Sequence, residues 1–226
     1  GSFAAFMRGL DLLLKAGIKV RFKTMAIRSN VHELPEIARF CRERTKDYFR
    51  FDPRLHLRFD RNSERNELIK SERLTPAEVV AVERSDDERF GALKKGCDKL
   101  INPEFEKHVC DHLFHCGAGK GSFSVSYDGF FRLCSSLWGP NCVYDLKKDR
   151  LKEAWEKFVP KVRDMRSKRK EFLEKCRRCS IINLCLWCPA HAYLETGEMD
   201  AVIDYFCQVA HARANSLTAV NMSTST

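Results

Sequence analysis

The strongest constraint in this sequence is a run of four cysteines within thirteen residues, in the stretch CRRCSIINLCLWCPA that begins at Cys176. The gaps between successive cysteines are two, five and two residues, and the whole chain contains 11 cysteines. The first residues of the chain do not show, in order, the basic region, apolar segment and cleavage site of an export signal. We therefore expect a cytoplasmic protein, in which clustered thiols bind metal or do redox chemistry rather than form disulfides.

Composition limits the class of protein further. The chain has 226 residues and is 44% hydrophobic, enough for one large domain or two small ones around a true core. It contains no apolar run of about 18 residues, so no membrane-spanning helix is predicted. The net charge is +9, but the sequence has no nucleic-acid-binding motif in which aromatic residues are placed to stack on bases. The charge therefore indicates a solvated basic face, and neither a nucleic acid nor a membrane is expected as a partner.

The first sixty residues have the pattern helix, strand, helix, strand. Apolar residues from Phe3 to Leu14 recur at helical spacing, and a second helix is predicted after Pro35. Alternation in IKVRFKTMAI and the short run YFRFDP predict two strands. Strands separated by helices pair in parallel, and two such units cannot close a sheet. This region therefore resembles the end of a larger α/β barrel or open sheet.

Later segments carry local signals of their own. A polar, charged stretch contains TPAE, starting at Thr75, in which a capping threonine, a proline and a glutamate predict a helix start. In SFSVSYDGFFRLC, alternating residues reverse at Asp128-Gly129, which predicts a β-hairpin. Short helices are predicted in RLKEAWEKFV and KEFLEKC, and a final one in DAVIDYFCQVAHARAN.

Eight cysteines form a pattern, and two kinds of metal site compete to explain it. A zinc ribbon needs its two C-x2-C knuckles about 15–20 residues apart, whereas five residues separate them here. One zinc ion held by this run would leave the other cysteines without a role. Eight thiolates suit two iron–sulfur clusters, and a final cysteine followed by proline, as in Cys188-Pro189, ligates the other cluster in two-cluster ferredoxins. The eight are Cys110, Cys116, Cys134, Cys176, Cys179, Cys185, Cys188 and Cys207, while Cys41, Cys97 and Cys142 stand apart.

The spacings resemble those of a known family. The pattern C-x12-G-x4-C from Cys116, then C-x2-C-x5-C-x2-C from Cys176, then Cys207, resembles the SPASM domain of radical S-adenosylmethionine (radical SAM) enzymes that modify peptides and proteins. The final gap of the tight run is usually three residues in that family and is two here. Cys134 is followed by Ser135 rather than the catalytic aspartate of the sulfatase-maturing branch.

The resemblance implies a fold and two cluster sites. The implied fold class is α/β: the last βα units of a partial radical SAM barrel, followed by a small α+β SPASM domain whose hairpin, loops and helices surround two [4Fe-4S] clusters. The implied divisions are barrel end 1–60, polar helical linker 61–105, SPASM domain 106–212 and flexible tail 213–226. The implied ligands are Cys110, Cys116, Cys134 and Cys188 for the first cluster, and Cys176, Cys179, Cys185 and Cys207 for the second.

The radical-generating motif of that family, C-x3-C-x2-C, is missing from the sequence. The chain is therefore not expected to cleave S-adenosylmethionine as written, and we interpret it as part of a longer oxidoreductase. S-adenosylmethionine, a third [4Fe-4S] cluster and the missing N-terminal barrel half would belong to that longer enzyme. The expected partner is a peptide or protein substrate. A non-catalytic zinc- or cluster-binding interaction module is the alternative.

Three further residues are candidates for substrate contact. Asp52, Arg54 and His56 lie at or just past the end of the second predicted strand. Barrels of this kind carry their chemistry at the carboxyl ends of their strands. A salt-bridged loop without a substrate is the alternative interpretation of these residues.

Overall fold

The structure is a computed structural model of the whole chain. It describes residues 1–47, 49–101 and 110–223, with the side chains of 97–100 and 218–223 excepted. Cys97 therefore lies outside the described side chains. Within the described part, every helix is too short or too polar to cross a lipid bilayer.

A small parallel sheet organises the N-terminal part. Strand β1 (Lys23–Met25) pairs in parallel with β2 (Arg50–Asp52), which confirms the predicted pairing. Helix α1 (Ser2–Lys15) precedes β1, and α2 (Leu34–Arg44) connects the two strands. The described sheets are small, with two strands here and three further along, so a partial barrel is not shown.

Three helices follow: α3 (Ser63–Ser71), α4 (Pro76–Arg84) and α5 (Asp87–Leu100). The predicted start of α4 is confirmed, because the Glu78 backbone N–H donates to Thr75 Oγ1 at 3.3 Å and the Thr75 N–H donates to the Glu78 carboxylate at 2.7 Å. Together the two bonds satisfy two backbone donors at the helix start. The last helix, α10 (Asp204–Ser223), packs on α4. Val79 and Val209 are both fully buried in the shared core.

The C-terminal part begins with a three-stranded antiparallel sheet. Its strands are β3 (Ser124–Val125), β4 (Phe130–Arg132) and β5 (Tyr144–Asp145), in that order. The predicted hairpin is confirmed, and Gly129 makes its turn with φ at +83°. A glycine adopts that left-handed conformation without the steric cost of a Cβ atom. The hairpin returns the chain toward Cys134, which follows β4 closely.

Short helical segments fill the rest of this part. A helix over 151–163 includes a π-helical stretch, Ala154–Phe158, flanked by α6 (Leu151–Glu153) and α7 (Val159–Arg163). A second π-helical turn, Phe172–Cys176, is followed by α8 (Ile182–Cys185) and α9 (Pro189–Thr196). The final helix starts at Asp204, later than the sequence pattern predicts, and continues to Ser223, so residues 213–223 are helical. The buried core here includes Phe131, Leu133, Leu137 and Phe172.

Candidate metal centre

Four of the eight patterned cysteines line a single cavity of about 240 Å³: Cys176, Cys179, Cys185 and Cys207. The helical elements explain the arrangement, because Cys176 ends the second π-helical turn, Cys185 ends α8 and Cys207 lies in the first turn of α10. Leu186 then turns the chain with φ at +53°. This turn separates Cys185 from Cys188. We refer to the four cavity-lining cysteines as the second set.

The remaining wall of this cavity is mostly apolar. Ile181, Ile182, Trp187, Val202, Ile203 and Ala210 line it, with Lys175 and His211 as its polar members. The Trp187 indole N–H donates to the carbonyl oxygen of Ala201 at 2.9 Å, which fixes the ring. The ring also packs on Phe172 with centroids 4.3 Å apart. An apolar wall of this kind excludes water from whatever the four sulfurs hold.

The electrostatics of the second set favour coordination over free thiolates. Burial, together with the nearby sulfurs of the same set, raises the pKa of the Cys176 and Cys185 thiols to about 12. Burial also raises the pKa of Cys207, with Cys179 and Asp204 adding to the effect. Four thiolates in this cavity would repel one another. A bound cation removes the repulsion, and metal binding to such a set releases protons.

Three more cysteines are electrostatic neighbours: Cys188, Cys134 and Cys116. Cys188 precedes α9 as its N-cap. Burial raises the pKa of the Cys188 thiol, and the Cys134 and Cys116 sulfurs add to this effect. The backbone N–H groups of His191 and Ala190 donate to the Cys188 sulfur and lower this pKa. Three of the four ligands expected for the first cluster are thus electrostatic neighbours, and Cys134 and Cys188 pack against the same buried core.

Cys110, the fourth expected ligand of that cluster, contacts a histidine. Its Sγ lies 2.8 Å from His112 Nδ1, and His112 Nε2 lies 3.0 Å from an Asp164 carboxylate oxygen. Cys110, Asp111 and His112 place one ligand atom each within 4.8 Å of one another. Hydrogen bonds from His112 lower the pKa of Cys110, and hydrogen bonds to Cys110 and Asp164 raise the pKa of His112. Just before Cys110, residues 102–109 lie outside the described part of the chain.

The three predicted substrate contacts occupy different environments. Asp52 ends β2 and lies 3.5 Å from the Lys23 ammonium. His56 stacks on His191 with ring centroids 3.7 Å apart. Arg54 is buried, and its guanidinium donates to the carbonyl oxygen of Cys185. That contact joins residues 131 positions apart, so no local sequence pattern signals it.

Comparison with protein families indicates which kind of metal centre these residues could form. Residues 116–180 match the family model of SPASM, described as an iron–sulfur cluster-binding domain. A SPASM domain therefore lies at residues 116–180. The matched range includes Cys116, Cys134, Cys176 and Cys179, and the other patterned cysteines flank it. The SPASM match supports iron–sulfur binding and says nothing of a radical SAM partner domain.

Comparison with individual proteins adds a distant relative. An uncharacterized protein of Archaeoglobus fulgidus is 33% identical over 101 residues, which cover 44% of this chain and 24% of the relative. The chain thus spans about a quarter of the length of that protein. No solved structure matches.

The second set fits an iron–sulfur cluster in size and in donor type. A sphere with the zinc–sulfur bond length as radius, about 2.3 Å, encloses only about 50 Å³. The cavity that the four cysteines line together with eight other residues is about 240 Å³. Clustered cysteine thiolates are also the donors of iron–sulfur centres. The residues present therefore suit the bulkier group.

Proposed function

We propose that this chain binds two [4Fe-4S] clusters and forms the SPASM portion of a radical SAM oxidoreductase that modifies a peptide or protein. The proposed ligands are Cys110, Cys116, Cys134 and Cys188 for the first cluster and Cys176, Cys179, Cys185 and Cys207 for the second. The observation that carries the proposal is the second set: four cysteines from separate elements around one largely apolar cavity, in a chain with a SPASM domain.

Electron transfer is the proposed role of these sites. A bound [4Fe-4S] cluster takes up and releases single electrons. Four cysteine ligands per cluster leave no iron open for a substrate, which favours electron transfer over substrate binding. The side chains of this chain then have two tasks. Trp187 and its apolar neighbours keep water from the second set, and amide donors at the start of α9 hold negative charge at Cys188.

A further βα unit, supplied by the missing barrel half, is proposed to pack against the N-terminal part. Its support is an open groove of about 1010 Å³ that α1 and α2 line, with Phe3, Phe6, Leu10 and Phe40 among its residues. Phe3 is 68% exposed and Phe6 49% exposed. Among the described residues, β1 pairs with β2 alone, so its other edge is open to a parallel strand. S-adenosylmethionine and a third cluster would bind in that half, in the cytoplasm.

Anaerobic reconstitution with iron and sulfide tests the proposed function. We expect about eight iron atoms and eight sulfides per chain, with the visible absorption of [4Fe-4S] centres. A parallel sample is incubated with zinc and no sulfide, as a control for single-ion binding. A chain that takes up stoichiometric zinc but no sulfide would be a zinc-binding interaction module, and the proposal would be wrong.

A further inference from the structure

Two buried arginines have the same relationship to the two cysteine sets. The Arg54 guanidinium donates to the carbonyl oxygen of Cys185, in the second set. The Nε–H of Arg177 donates to the carbonyl oxygen of Cys110 at 3.0 Å, in the ligand group proposed for the first cluster. Arg54 is 6% exposed and Arg177 is 3% exposed. Each guanidinium is thus fixed against the backbone of a proposed ligand.

Neither arginine has a carboxylate partner in the described part of the chain. Among the residues that the structure describes, Arg54 and Arg177 form no ion pair with a carboxylate, whereas buried Arg213 pairs with Glu83 at 2.7 Å. Asp52 and Glu83 act on Arg54 only beyond ion-pair distance, and the Arg213 charge opposes them. Buried charges in proteins are normally paired or bound to metal centres. Both arginines therefore need an anion, and none of the carboxylates that the structure describes supplies it.

Each arginine lies next to one of the cysteine sets, and a bound cluster would supply the negative charge. The Arg54 charge acts on the Cys185 thiol, and the Arg177 charge acts on Cys110 and Cys176. A four-iron cluster with four thiolates carries a net charge of about −2 by formal electron counting. Lys175 and Arg178 are nearby in sequence, but both are exposed, and Lys175 pairs with Glu171 at 3.0 Å. Solvent screens such exposed charges far more strongly than buried ones.

We propose that Arg54 and Arg177 are positioning residues that raise the reduction potentials of the second and the first cluster, respectively. The inference rests on the proposed function. Each reduction adds one electron from an external one-electron donor and no proton, so the cluster gains one negative charge. A buried guanidinium stabilises that extra charge, because the low-dielectric surroundings barely screen it. Removing the guanidinium lowers the potential.

Arg54 also connects two parts of the chain. It follows β2 (Arg50–Asp52) of the N-terminal sheet, and Cys185 ends α8. Arg177 directly follows Cys176, so its removal is expected to affect the second cluster too, but less than the first.

Redox titration of single-cluster proteins tests the inference. Cys188→Ala is expected to leave only the second cluster, and Cys207→Ala only the first. Arg54→Gln, Arg177→Gln and the exposed control Arg178→Gln are added to each, reconstituted anaerobically and titrated with dithionite under electron paramagnetic resonance. Arg54→Gln is expected to reduce the equilibrium constant for reduction of the second cluster at least tenfold, a shift of about 59 mV for one electron. Arg177→Gln should do the same to the first, and Arg178→Gln should shift neither.

Further variants separate charge from structure. Arg54→Lys keeps the charge and should keep the wild-type potential. If Arg54→Gln loses the second cluster while Arg54→Lys retains it at the wild-type potential, the charge is needed at that site and the inference holds. Retained iron with an unchanged potential in Arg54→Gln would overturn it, as would loss of the cluster from Arg54→Lys as well. If the parent chain binds no iron and sulfide at all, the proposed function itself fails and this inference falls with it.

Discussion

Replacing Cys207 by alanine is expected to remove about four of eight iron atoms and the matching sulfides from the reconstituted chain. Cys207 is supplied by α10, and the other three members of the second set come from the stretch before α9. When one iron lacks its thiolate, a four-iron cluster is exposed to solvent and is readily lost from the protein. Cys207 is not a proposed ligand of the first cluster, which should therefore remain. Iron, sulfide and electron paramagnetic resonance spectra measure the outcome.

Cys41→Ala is the matched control for this experiment. Cys41 is also buried, with a pKa raised by burial, but it lies on α2 in the N-terminal core. The Cys41→Ala variant should retain the full iron content of the wild-type chain. Full retention of iron by Cys207→Ala would show that the second set does not hold a cluster through this residue.

Replacing Glu83 by glutamine is expected to destabilise the fold by about 3–5 kcal/mol, the cost of breaking a buried ion pair from one side. Glu83 on α4 is 2% exposed and accepts hydrogen bonds from Arg213 Nε at 2.9 Å and Nη2 at 2.7 Å. Arg89 Nη2 donates to the same carboxylate at 2.9 Å. Glutamine keeps the shape but removes the negative charge that faces both arginines. The free energy of unfolding in urea, compared with the wild-type chain, measures the loss.

An exposed ion pair on a neighbouring helix provides the comparison. Lys70 and Glu67 approach to 2.7 Å, with side chains 43% and 70% exposed. Solvent screening limits such a pair, so Glu67→Gln should change stability by no more than about 0.5 kcal/mol. Equal effects of the two substitutions would contradict the role given to the buried Glu83 carboxylate in joining α4 to α10.

Local chemistry made several elements predictable from the sequence. The Asp128-Gly129 turn and the capping box at Thr75 follow from patterns a few residues long. The parallel pairing of β1 with β2 follows from the alternation of helices and strands over the first sixty residues. Such patterns act through neighbouring backbone groups, so they survive without knowledge of the tertiary structure. The cysteine spacing likewise indicated an iron–sulfur protein, and the SPASM match agrees with that.

Contacts between distant segments were not predictable in this way. Glu83 lies in a stretch that is polar and charged, and a charge pattern does not distinguish a solvated carboxylate from one buried against Arg213. The bond from Arg54 to Cys185 spans 131 positions. The contact of Cys110 with His112 is local, yet its link to Asp164 depends on the fold. The ligand sets and domain boundaries implied by the resemblance remain predictions.

The measurement that tests the central claim most directly compares Cys185→Ala with Cys188→Ala. These cysteines are three positions apart, and the left-handed Leu186 turns the chain between them. Cys185 lines the cavity of the second set, and Cys188 is not part of that lining. Electron paramagnetic resonance and iron content should show that Cys185→Ala loses only the second cluster and Cys188→Ala only the first. Loss of the same cluster from both variants would show that the CLWCP stretch serves one site, and the two-cluster account would be wrong.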